Sequence, residues 1–286
     1  MIALIKYLYL IALPFVVLGI IGYSYYSFRR VPRAFALGTI ASLLAAGCLT
    51  LDLLAMLYQH GAQFVLVGGA RYLLAAWTIM LVYFVAEFYY RIRLLGPLLM
   101  PVALLLMVVA NFMPEQPVTA VPVHGLEAFL IIHTVLVFAS FGLIFLAFAG
   151  AVMYLLKARA LKIHGAGAIS GDLPAVDTSR RVMVTAFHVG LPLLTIGLVL
   201  GVAYAAATLH GEWLWYGKTV LGLVIWMMYS ALFFLYHSQH LTVHGLARGV
   251  VLLLVVVAVS FLSSSHREIV RLFREPPAAA QESGTP

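Results

Sequence analysis

Eight long apolar runs, set apart by short polar or proline-containing segments, dominate the chain. They are Leu4 to Tyr25, Ala34 to Tyr58, Phe64 to Tyr89, Leu94 to Met113, Leu126 to Leu156, Val182 to Leu209, Trp215 to Tyr236 and Gly245 to Ser264. A bilayer core takes roughly 20 apolar residues per helix, and each run reaches that length. None alternates apolar and polar positions as barrel strands do, so the runs read as helices. The expected fold class is all-α: a polytopic integral membrane protein of about eight transmembrane helices.

The segments between the runs organise the chain. Residues 1–113 form an N-terminal four-helix membrane region, with the first run read as an anchor. It is too long for the apolar core of a signal peptide and lacks a clear small-residue cleavage site. A proline-rich loop at 114–125 carries Pro114, Pro117 and Pro122 and cannot be helical throughout. A second membrane region, 126–266, contains a Gly/Ala-rich connection at 157–181 that reads as a flexible linker. Residues 267–286 form a tail whose end is disordered by composition.

Composition narrows the function classes. Of 286 residues 64% are hydrophobic and 9% charged, too little charge to cover a soluble domain. The formal charge of +7 invites a nucleic-acid reading, but its placement follows a membrane. Arg29, Arg30, Arg33, Arg91, Arg93, Lys157, Arg159, Lys162, Arg180, Arg181 and Arg248 occupy alternate loops. The other side holds Lys6, Arg71, Lys218 and a short Arg-bearing tail, a ratio of 11 to 6. By the positive-inside rule the first set is cytoplasmic. Both termini then face outward from the inner (plasma) membrane, and the expected partner is the lipid bilayer, with no nucleic acid. The single cysteine, Cys48, cannot form an internal disulfide.

Candidate chemistry is sparse. Asp52 and Glu87 are carboxylates inside apolar runs, where a charge is costly and faces a partner or a cavity. Glu87 stands four residues before Arg91, so an i,i+4 ion pair is expected. The ten histidines fall into two layers. His60, His124, His133, His210 and His266 lie on the outer side; His164, His188, His237, His240 and His244 lie on the inner side. Imidazole is a natural ligand for haem iron and enters apolar surroundings when neutral. His133 and His237 are distinguished by lying in or at the edge of apolar helices. His188 opens the sixth run and His237 closes the seventh, so antiparallel neighbours would bring both to one depth. Around Trp213, the outer loop reads His210-Gly211-Glu212-Trp213-Leu214-Trp215-Tyr216-Gly217-Lys218. It is either an interfacial aromatic belt or a platform for a porphyrin, with Lys218 placed to pair with a propionate. No phosphate loop, zinc spacing or ordered nucleophile is present, so an enzyme is not expected. A small-molecule transporter lacks the paired broken segments of such folds.

Three stretches carry a family resemblance: His133-Thr134-Val135 opening a helix that ends Tyr154-Leu155-Leu156-Lys157; Gly190-Leu191-Pro192-Leu193-Leu194-Thr195-Ile196-Gly197, then Gly201; and Trp213-Leu214-Trp215-Tyr216-Gly217-Lys218, then Trp226, Tyr229 and His237. In order and spacing they resemble the cytochrome c assembly family of haem-handling membrane proteins, most closely its short, eight-helix HemX-like branch. The first half matches in hydropathy and in His60. The resemblance implies haem as cofactor, Trp213 and Trp215 as a stacking platform, and His133 as an outer ligand of the iron. It also implies His237 as a histidine within the membrane, also a ligand, and His266 as the candidate for a second outer ligand. It implies haem handling in cytochrome c biogenesis or haem homeostasis, with other cytochrome c maturation proteins as partners. Tyr216 and Gly217 stand where the family's tryptophan-rich motif usually continues with an acidic residue. That departure favours an alternative, a regulatory or scaffold subunit without haem transfer.

Overall fold

The computed structural model describes residues 8–61, 64, 69–113, 127–164, 174–208 and 217–274. Among them the chain forms eight helices and no strand: α1 (Leu8–Arg29), α2 (Pro32–His60), α3 (Ala70–Tyr90), α4 (Leu95–Asn111), α5 (Glu127–His164), α6 (Val176–Thr208), α7 (Gly217–His237) and α8 (Val243–Arg274). Each apolar run has become one helix. A spanning segment has no water for its backbone and must satisfy its amides within the turn. Seven of the helices are long and apolar enough to cross a bilayer. The 17-residue α4 is shorter, about 25 Å at 1.5 Å per residue. Large apolar side chains such as Leu18, Leu37, Leu51, Val85, Leu105 and Val199 lie exposed on the outside, the surface a lipid-facing protein presents.

The helices pack as two four-membered rings. In the first, α1 touches α2 and α4, and α3 touches the same two. In the second, α5 touches α6 and α8, and α7 touches the same two. The rings meet along α3 and α5, with thinner contact between α4 and α5 and between α3 and α6. Glycine sets the spacing of the first ring. A Cβ on Gly22 would stand 2.8 Å from the backbone of Gly38, so α1 and α2 approach backbone to backbone. Tyr23 fills the centre, edge-on to Tyr83 with ring centroids 5.5 Å apart.

Two details depart from the sequence reading. The connection read as residues 157–181 is shorter, because α5 continues to His164 and α6 begins at Val176. Asp177 sits in the first turn of α6, where a carboxylate faces the unpaired amides favourably, and it reaches Arg181 at 3.8 Å. The expected Glu87–Arg91 side-chain pair is absent among the described residues. Helix α3 stops at Tyr90, and Arg91 turns into the left-handed conformation with φ 53°. That turn carries Arg91 off the helix stripe, and what it gives Glu87 is its backbone N–H on the carbonyl, at 2.8 Å.

Candidate functional site

His133 lies six residues into α5, and its Nδ1 is 2.6 Å from the carbonyl oxygen of Gly197 on α6. The ring also lies against Gly201, one turn further along α6. A Cβ there would stand 2.6 Å from Nδ1 and 3.1 Å from Nε2. Glycine at 201 therefore makes the space in which this imidazole sits, while Gly197 supplies the carbonyl and lets α6 pack closely on Val137 of α5. An imidazole that donates its Nδ1–H to a carbonyl carries its lone pair on Nε2, the arrangement found in histidines that ligate metals.

Pro192 interrupts the α6 ladder, and carbonyls on either side of the break accept bonds from neighbouring helices. Proline lacks an N–H, so the His188 carbonyl has no donor one turn on. Neighbouring carbonyls are read from both sides. Tyr229 on α7 donates to Phe187 O at 2.7 Å, and Ser140 on α5 donates to Gly190 O at 2.9 Å. With the His133 contact, α6 becomes the hub of the second ring.

His133 lines a cavity of about 320 Å³ at one end of this ring. Its walls are mainly apolar, drawn from α5, α6 and α7, with Ser260 from α8. Arg71 and Tyr72, from the first turn of α3, complete it. Arg71 was not singled out from the sequence as a site residue. Helix reversal places the starts of α3, α5 and α7 and the end of α6 at one end of the bundle, and that was the available signal.

The other expected residues fall in three places. Trp213 and Trp215, with His124 and His210, lie outside the described residues. Lys218 and His266 stand on the backbones of α7 and α8, and their side chains lie outside the description. Lys218 is adjacent to Thr219, which lines the cavity, and His266 is six residues beyond Ser260. His60 closes α2 on the surface and does not line the cavity.

The inner pair is brought together by an aromatic residue. His188 packs edge-on against Phe233 at 5.1 Å, and His237 stacks parallel to the same ring at 6.0 Å. His188 Nδ1 is engaged by its own helix, 2.7 Å from Val184 O, and His237 is exposed. This cluster lies about 20 Å along α6 from Gly201. His244 packs near Tyr154, ring centroids 6.2 Å apart, at the start of α8.

Comparison with known proteins adds a family and a relative. The model of the family described as "Cytochrome C assembly protein" matches residues 70–270, from the first residue of α3 into α8. A stretch of 155 residues is 26% identical to Protein HemX of Brevibacillus brevis, covering 54% of this chain and 57% of that protein. The chain thus matches little more than half the length of that relative. No solved structure matches significantly.

Proposed function

Since the chain belongs to the cytochrome C assembly protein family, we propose that it is a haem-handling membrane protein of cytochrome c biogenesis. In this reading its second ring holds the porphyrin in the cavity beside His133. The supporting observation is the fixed imidazole, held by Gly197 O at 2.6 Å and flanked by Gly201, in a mainly apolar cavity. The donor set suits haem: one imidazole to reach iron through Nε2, carbon walls for the ring, and a guanidinium at Arg71 to meet a propionate. Haem would supply the iron centre and its conjugated ring; the chain orients them and excludes water. Trp213 and Trp215 would stack on the exposed face and Lys218 would meet a second propionate. His266 would approach from α8. His60, on the same end but outside the cavity, is the weaker companion. His188 and His237, flanking Phe233 at the opposite end, would form an inner station. Positive-inside placement sets the His133 end on the outer face of the membrane.

A haem titration of the purified protein in mild detergent, followed by absorbance, tests the reading. The expected result is saturable binding by the wild type and a loss of more than roughly 100-fold in affinity for His133→Ala, since removing a ligand costs more than the roughly 10–100-fold of removing its orienting partner. His210→Ala should bind as the wild type does. A His133→Ala protein with a full haem spectrum refutes the ligand choice. A wild type that binds no haem leaves the scaffold reading, which Tyr216 and Gly217 favour.

A further inference from the structure

Beside the seam between the rings, α3, α5 and α6 wall an almost wholly apolar groove of about 530 Å³. Leu81 and Val85 on α3, Ala139 and Leu143 on α5, and Thr185 and Val189 on α6 line it. Two of the polar groups along it are engaged within the helices: the Trp77 indole donates to Thr50 Oγ1 at 2.8 Å, and Thr78 Oγ1 donates to Leu74 O at 2.8 Å. The register of the three helices gives the groove a direction. Gly142 of α5 lies against Thr78 and Val82 of α3, and Gly150 lies against Met183 of α6. With Ser140 on Gly190, and with Tyr72 and His133 sharing the cavity at the other end, these contacts make α5 run parallel to α3 and antiparallel to α6. Tyr90 and Arg181 then stand at one level. Arg181, Thr185 and Val189 are four residues apart and share one stripe of α6, and Arg91 follows the end of α3. Both arginines are exposed. The 3.8 Å contact of Arg181 with Asp177 joins two mostly exposed groups, and a pair of that kind is readily exchanged for another anion.

We infer that this groove is a binding site for an anionic phospholipid. An acyl chain lies along the apolar wall and the phosphate is held at its mouth by Arg91 and Arg181. Guanidinium pairs with phosphate through parallel hydrogen bonds, and the basic side of a membrane protein faces the leaflet that carries anionic lipids. The lipid bridges α3 of one ring and α6 of the other, where direct contact between the rings is thin.

Native mass spectrometry of the full chain in detergent tests this, with phosphatidylglycerol and phosphatidylcholine of identical chains. Phosphatidylglycerol is expected to stay bound and to raise the thermal unfolding temperature, and phosphatidylcholine to do neither. Arg181→Gln should lower phosphatidylglycerol retention roughly tenfold, the loss of one charge-assisted contact, while Arg180→Gln, on a different stripe, leaves it unchanged. Ala139→Phe, which fills the groove, should abolish retention in a protein whose circular dichroism is unaltered. Equal retention of both lipids, or retention that survives Ala139→Phe, overturns the proposal in favour of ordinary boundary lipid. A dimer that Ala139→Phe converts to monomer without changing lipid retention overturns it in favour of a second copy of the chain.

Discussion

In the first ring the indole of Trp77 on α3 donates to Thr50 Oγ1 on α2 at 2.8 Å; in the second, Trp226 on α7 donates to Thr195 Oγ1 on α6 at 3.0 Å. Each threonine also donates to the carbonyl four residues back, Ala46 at 2.7 Å and Leu191 at 2.9 Å. Both bonds join the third helix of a ring to the second, so the two rings share a plan. They differ in what they enclose. The first is closed by glycines at Gly22 and Gly38 and filled by Tyr23 and Tyr83. The second uses Gly201 to seat an imidazole beside a cavity. Small residues in a membrane helix thus serve two ends: bringing backbones together, or leaving room for a polar side chain.

The largest effect should come from the first ring. Gly22→Leu places carbon 2.8 Å from the Gly38 backbone, which cannot give way as a flexible side chain can. We expect a loss of about 3 kcal/mol, at the top of the range for overpacking, read as thermal unfolding in detergent. Gly47→Leu, with nothing within 4 Å of its Cβ, should be tolerated. A stable Gly22→Leu protein would remove the distinction between a closed ring and an open one.

Gly201→Val should act differently, because the atom it meets belongs to the His133 ring. The imidazole must turn away from Gly197 O. Haem affinity should then fall roughly 10–100-fold, as when a ligand histidine loses its orienting partner, with little change in unfolding temperature. An equal fall in stability would mean that the second ring is as closed as the first.

Two serines give a finer test. Ser140 Oγ on α5 donates to Gly190 O at 2.9 Å, whereas fully buried Ser42 Oγ on α2 has no hydrogen-bond partner among the described residues. Ser140→Ala should cost about 1 kcal/mol and Ser42→Ala about nothing. The reverse order in chemical or thermal unfolding would place the firmer polar contacts in the first ring. The smallest effects belong to the shared bond. Trp77→Phe and Trp226→Phe should each cost about 0.6 kcal/mol, and the double variant should be additive within about 0.5 kcal/mol. A large coupling between them would show that the rings do not behave independently.

Much of this arrangement is local and was legible from residue order. Eight apolar runs make eight helices because each must satisfy its own backbone in lipid. Their alternation sends His133 and the His188–His237 pair to opposite ends, as their positions in the runs imply. The Gly190 to Gly197 stretch and Gly201 stood out as a motif before their purpose was visible. The tertiary structure decided the rest: the division into two rings, the meeting of Arg71 with His133 in one cavity, the placing of Phe233 against both inner histidines, and the turning of Arg91 away from Glu87. These depend on which stripe of each helix faces which neighbour. A helix that is apolar all round carries no amphipathic stripe to say so, and only the packing of all eight together selects the face.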